Sequence, residues 1–115
     1  MKHITGDLPE QIGVYSLRCS SGEYIGSSVN IRRRVYEHDL NLRSGKASRK
    51  LQSVADRGEV FQASVLVPLE HGCSLHDLRQ AERQQILQRR PALNAAHSVG
   101  AVFDNAILKD SQRIL

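Results

Sequence analysis

A pair of short strand-forming runs near the start of the chain constrains its fold more than any other feature. Residues 13 to 18 (GVYSLR) and 24 to 27 (YIGS) carry aromatic and β-branched side chains, and the CSSGE between them offers Gly22 for a positive backbone angle. That pattern predicts a β-hairpin. Directly after it Asn30 can cap a helix, along which Ile31, Val35, His38 and Leu42 recur at helical spacing until Ser44-Gly45 breaks the pattern. A shorter helix is expected over Leu51, Val54 and Ala55, stopping at Gly58. Residues 60 to 67 (VFQASVLV) form the most strand-like run of the chain, with Pro68 expected to close it. A last helix should begin after Ser74, where Ser74 and Asp77 resemble a capping box, and end before Pro91. This order of elements predicts an α+β domain built on a small antiparallel sheet.

One entry in the last helix breaks its pattern. Leu75, Leu78, Ala81, Gln85 and Ile86 mark one face, and Glu82 falls in the middle of it, four residues from both Leu78 and Ile86. A carboxylate therefore occupies the face that should pack against the sheet.

With 115 residues the chain can bury one modest core, and it has no internal repeat or Gly/Ser linker. We expect one domain over residues 1–96 and a tail, 97–115, that forms a short helix from Asp104 packed on the domain. No apolar run approaches the ~20 residues of a bilayer crossing, and MKHITGDLPEQ lacks the apolar stretch of a signal peptide, which predicts a cytoplasmic protein with no membrane partner. Cys19 and Cys73 fit neither a disulfide scaffold nor clustered zinc ligands and are expected to be free thiols.

The net charge of +4 is unevenly spread. Residues 32 to 50 hold seven basic side chains, Arg32, Arg33, Arg34, Arg43, Lys46, Arg49 and Lys50, against only Glu37 and Asp39. Such a local field attracts polyanions, of which nucleic acid is the commonest in a cell, although a solvated basic helix face would read the same way.

The remaining unusual residues suit one chemistry. The hairpin presents Tyr15 and Tyr24, the next helix sets Arg34 and His38 four residues apart on one face, and the last helix points Glu82 inward. Singly, each has an ordinary explanation: cross-strand packing for the tyrosines, solvation for Arg34, a core position for His38, an ion pair with Arg79 for Glu82. Together they suit phosphodiester hydrolysis. That reaction needs an activated water, positive charge for the negative charge developing on phosphorus, and help for the leaving oxygen. Arg34 can supply charge, Glu82 can hold a divalent cation, and Tyr15 can relay a proton if a neighbouring cation lowers its pKa.

Gly13-Val14-Tyr15 followed by Tyr24-Ile25-Gly26 resembles the paired signature of the GIY-YIG nuclease family, with Val in place of the first Ile. The likeness runs from about residue 12 to 96. Within YIGSSVNIRRRVYEH the family's catalytic arginine falls on Arg34 and its helix histidine on His38; its metal-binding glutamate falls on Glu82 within LRQAERQQI, and its late asparagine on Asn94 within RPALN. The resemblance implies a three-stranded antiparallel sheet flanked by helices, and hydrolysis of double-stranded DNA at a single Mg²⁺ or Mn²⁺ held by Glu82 and several waters. It also implies roles. Tyr15 would be the general base, Tyr24 a support or phosphate contact, Arg34 the charge on the scissile phosphate, Asn94 a supporting hydrogen-bonding residue, and His38 a phosphate contact or an aid to proton transfer. Gly13 and Gly26 belong to the two tripeptides and support the site. The basic side chains Arg32, Arg33, Arg43, Lys46, Arg49 and Lys50 are the expected DNA contacts.

The nearest likeness is to small phage and mobile-element homing endonucleases, from which the chain departs in two ways. Only 21 residues follow Asn94, where those enzymes usually carry a linker and a recognition module. Some relatives also have a second histidine after the first helix, where this sequence has Lys46 and Arg49. Either the chain is the nuclease domain of a longer protein, or site choice would rest on low specificity, on a homodimer, or on a targeting partner protein. Two other readings stay open: a structure-selective repair or recombination nuclease, and a catalytically silent module that binds DNA or modulates another nuclease. The presence of Tyr15, Arg34 and Glu82 together argues against the silent module.

Overall fold

The computed structural model describes residues 3–94, so the expected domain limit at residue 96 and the expected tail helix from Asp104 lie outside the described residues. The first long element is the predicted hairpin: β2 (Ile12–Cys19) and β3 (Gly22–Ser28) pair antiparallel, Tyr15 opposite Gly26 and Leu17 opposite Tyr24. β4 (Phe61–Leu69) pairs antiparallel with the other edge of β2. These make the expected antiparallel sheet. A further strand that the sequence did not announce, β1 (Ile4–Thr5), adds parallel to β4, and the full order is β1-β4-β2-β3. β3 therefore lies at one edge.

Two differences from the sequence reading have physical causes. β1 has only two residues, too few to show any period, and a contact from a helix holds it in place. Pro68 does not close its strand, which runs on to Leu69 with Pro68 opposite Gly13. A proline lacks the N–H a central strand must donate, but β1 covers β4 only at Phe61 and Gln62, so at Pro68 the strand is an edge.

The helices fall where capping chemistry places them. α1 (Ile31–Arg43) begins at Asn30, whose side chain accepts the Arg33 N–H at 3.1 Å. α2 (Arg49–Asp56) is short and ends before Gly58. α3 (Leu75–Arg89) carries the reciprocal capping box, with Asp77 N–H donating to Ser74 Oγ and Ser74 N–H to Asp77 Oδ2. It stops at Arg90 in a left-handed conformation just before Pro91.

Alternation along β2 sends neighbouring side chains to opposite faces, and the two faces have separate cores. Tyr15 and Leu17 join Ile31, Val35, Leu42, Leu51, Val54 and Phe61 under α1 and α2. Val14 joins Ile25 and Ile86 under α3, with Leu66, Val67, Leu75 and Ala81 packed around them. Among the described residues no helix is long and apolar enough to cross a membrane, and both cysteines are free.

The contact that holds β1 comes from Asp39 on α1. Its Oδ1 accepts the backbone N–H groups of His3 at 2.8 Å and Ile4 at 3.2 Å, and Arg43 one turn on bonds its Oδ2. Burial alone would raise the pKa of this carboxyl, but the His3 N–H, the Arg43 guanidinium and the Ile4 N–H together outweigh burial and hold it below the usual carboxylate range. A depressed carboxyl stabilises the fold above its unfolded value, and that contribution is lost as pH falls through the folded one. Asp39→Ala should therefore cost about 1–3 kcal/mol near neutral pH, and less as the pH drops below 4, in pH-resolved thermal melts.

Candidate active site

Tyr15 is the largest fully buried side chain, and one glycine makes room for it. It lies on β2 opposite Gly26 of β3, where an added Cβ would stand 2.5 Å from the phenolic oxygen and 2.6 Å from the carbon bearing it. No other residue fits under that ring without moving it. Gly13 answers a different approach, because a Cβ there would stand 2.2 Å from the carbonyl oxygen of Val67 on β4. The glycines of both tripeptides thus hold strands and ring at their observed separations.

Across Gly26 the Tyr15 hydroxyl meets α1. Tyr15 Oη and His38 Nε2 share a hydrogen bond of 2.7 Å, with both groups buried. Tyr24 completes a three-ring cluster, its centroid 6.3 Å from that of Tyr15 and 5.3 Å from that of His38, where the rings meet edge to face. Burial pushes the His38 pKa down to about 3, and the Arg34 charge one turn away adds to the shift. His38 is therefore a neutral imidazole across the range where histidine normally titrates. Arg34, about three-quarters buried, also bonds Glu37 through Nη1 at 3.1 Å, a partner the sequence did not single out.

Glu82 lies on the other face of the sheet. It is 6% exposed and lies on the buried stripe of α3 between Leu78 and Ile86, as the misfit in the apolar pattern predicted. The structure therefore splits the expected catalytic set in two. Tyr15, Tyr24, Arg34 and His38 lie on the α1 side of the sheet, Glu82 lies on the α3 side, and edge strand β3 runs between them.

Asn94 fastens that edge. Its Oδ1 accepts the Ile25 N–H and its Nδ2 donates to the Ile25 carbonyl, both at 2.9 Å, as a further strand would do. Leu93 N–H donates to the Glu23 carbonyl one step earlier. Glu23 itself, unremarked in the sequence, accepts from Ser16 Oγ at 2.6 Å and pairs with Arg89 at 2.9 Å, joining the end of α3 to the hairpin.

Among the described residues no group of three or more His, Cys, Asp or Glu converges; Glu82 is a single buried carboxylate that could bind a cation. One protein carboxylate fits an ion that retains most of its waters, as Mg²⁺ does, and fits poorly an ion that demands several nitrogen or sulfur ligands.

The six expected DNA contacts divide. Arg32 Nε donates to the Leu8 carbonyl, Arg43 pairs with Asp39, and Lys50 Nζ donates to the carbonyls of Ala92 at 3.3 Å and Asn94 at 3.1 Å. These three help hold the fold, Lys50 by steadying the segment that clamps β3. All six are exposed, and Arg33, Lys46 and Arg49 differ in making no side-chain bond to the fold among the described residues.

A phenol on a neutral imidazole, a guanidinium beside them and a buried carboxylate across one strand are groups of the kind phosphoryl chemistry uses. The model of the GIY-YIG catalytic domain matches residues 11–94, and the chain belongs to the GIY-YIG nuclease family. Comparison with curated proteins and with solved structures returns no match.

The tight fit at Gly26 makes a direct test of this geometry. Gly26→Ala should displace the Tyr15 ring from His38 and cost about 1–3 kcal/mol of stability. Thermal melts report the cost, and the ring displacement is read from loss of nuclear Overhauser contacts between Tyr15 and His38.

Proposed function

We propose that this chain is a metal-dependent DNA endonuclease that hydrolyses phosphodiester bonds with one divalent cation, Mg²⁺ or Mn²⁺, in the cytoplasm. The observation that carries the proposal is the Tyr15–His38–Tyr24 cluster beside Arg34, with Glu82 buried across β3. Likeness of the segment from Tyr24 to His38 to small homing endonucleases supports a place near those enzymes.

Magnitudes select the roles. A proton passing from a phenol of ordinary pKa, about 10, to an imidazole held at about 3 climbs seven units, roughly 10 kcal/mol. His38 is therefore not where the Tyr15 proton comes to rest. The Tyr15 proton leaves to solvent water before the reaction. In the tautomer with hydrogen on Nε2, His38 donates to the Tyr15 oxygen and stabilises the phenolate, which then takes the proton of the attacking water as the water oxygen bonds to phosphorus. Tyr24 walls the pair from solvent, and Arg34 binds a non-bridging phosphate oxygen whose charge grows in the transition state. Glu82 would hold the cation, which when bound supplies positive charge to the phosphate and the leaving oxygen.

Glu82→Gln should keep fold and DNA affinity yet lose nearly all cleavage of supercoiled plasmid, as should EDTA. Tyr15→Phe should slow single-turnover cleavage by two or more orders of magnitude with DNA binding in Ca²⁺ little changed, consistent with the usual worth of a general base. Wild-type cutting by either variant, or cutting in EDTA, overturns the mechanism.

The exposed basic side chains carry the binding surface in this proposal. Neutralising Arg33, Lys46 and Arg49 together should reduce the slope of log affinity against log salt by about two to three, at ~0.9 for each phosphate no longer neutralised. Lys50→Gln should instead lower the melting temperature. An unchanged slope in the triple variant would show that these charges serve solvation only.

A further inference from the structure

One buried hydroxyl is left over after the fold and the proposed mechanism have drawn on the rest. Ser27 follows Gly26 on β3 and is 5% exposed, and among the described residues nothing donates to or accepts from its Oγ. Its neighbours of the same kind are all used: Ser16 Oγ donates to Glu23, and Ser28 Oγ accepts the Asn30 N–H at 3.0 Å. A buried hydroxyl without a partner costs on the order of 1–3 kcal/mol. Alanine at that place would avoid the cost.

The register of α3 on β3 shows where this hydroxyl points. At one end Arg89 of α3 pairs with Glu23 of β3, and one step inward Ile86 packs with Ile25 and Val14. The two elements therefore run antiparallel. Two residues along a strand advance ~6.6 Å and four along a helix ~6 Å, so the next step brings Ser27 level with Glu82. Ser27 shares the face of Ile25 because strand side chains alternate, and it lies opposite Val14, which is itself under α3. The register thus puts the orphaned Oγ and the buried carboxylate at the same level, both on the α3 side of the edge strand.

We infer that Ser27 is a positioning residue of the cation site: with the ion bound, its hydroxyl donates to the Glu82 carboxylate and accepts from a water of the hydrated cation. This rests on the one-metal reading of Glu82. Partners that orient a ligating carboxylate typically change metal affinity by 10- to 100-fold when removed, and a hydrated ion offers many water hydrogens for such a group to accept. The same step of β3 explains the sequence on both faces. Gly26 clears space for Tyr15 on one side, and Ser27 presents a short oxygen to the cation on the other.

The test uses the full chain, with Mn²⁺ alone as probe. Free Mn²⁺ measured by electron paramagnetic resonance, without DNA, gives affinities for wild type, Glu82→Gln, Ser27→Ala and Ser27→Thr. Ser27→Ala should bind Mn²⁺ on the order of tenfold more weakly than wild type and show a matching rise in the Mg²⁺ needed for half-maximal cleavage. Its melting temperature without metal should hold or rise, because an unpaired buried polar atom has gone. Ser27→Thr keeps the hydroxyl and should restore most of the affinity. Equal Mn²⁺ affinity in wild type and Ser27→Ala, where Glu82→Gln abolishes binding, overturns the inference and leaves the one-metal reading standing. Wild-type protein that binds no Mn²⁺, or binds it equally well as Glu82→Gln, overturns both.

Discussion

The structure depends on a missing methyl group. Tyr15 can lie flat across β3 only because the residue beneath it, Gly26, has no Cβ, and that single absence lets a fully buried ring carry its hydroxyl to α1. The ring fills the core between sheet and helix while its oxygen bonds His38. Packing and chemistry are thus supported by the same contact. A larger residue at position 26 would have to shift either the ring or the strand, and close-packed interiors resist both.

From that contact the rest of the site follows by distance along regular elements. One helical turn before His38, Arg34 lies close enough for its charge to help keep the imidazole neutral. Tyr24 stands two residues before Gly26 on the same face of β3 and so reaches both other rings. Glu82 occupies the opposite face, reached through α3. A narrow edge strand is the natural meeting line for two such half-sites, because groups above and below it are separated by a single layer of backbone. Asn94 meets the resulting need for order at that edge by pairing with Ile25 as a strand would.

Burying His38, Asp39 and Glu82 in a domain with a small core is expensive, and the partners show how much of that is offset locally. Asp39 gains backbone N–H groups and a guanidinium, and so fastens β1. Glu23 gains Ser16 and Arg89 and joins α3 to the hairpin. These ion pairs are architectural, and they use basic side chains that the composition alone would assign to a nucleic-acid surface. Arg43 and Lys50 illustrate the point, since both, though exposed, bond carboxylate or carbonyl oxygens of the fold.

Much of this was legible in the sequence. The hairpin, the Asn30 cap, the Ser74–Asp77 capping box and the three helices follow from local patterns, because strand alternation, helical spacing and caps are short-range physics. Glu82 was visible as a carboxylate in an apolar stripe, and Tyr15, Tyr24, Arg34 and His38 by their order along the chain. Contacts between distant segments were not legible. The sequence by itself determined every element but β1, together with the family signature and which side chains break the apolar pattern. Only the tertiary structure decided that β1 joins the sheet through Asp39, that Lys50 steadies the Asn94 segment, and that the Ser27 hydroxyl is buried without a partner. Each of those depends on which elements become neighbours and in what register, and no local spacing encodes that when partners such as Asp39 and Ile4, or Lys50 and Asn94, stand 35 and 44 residues apart.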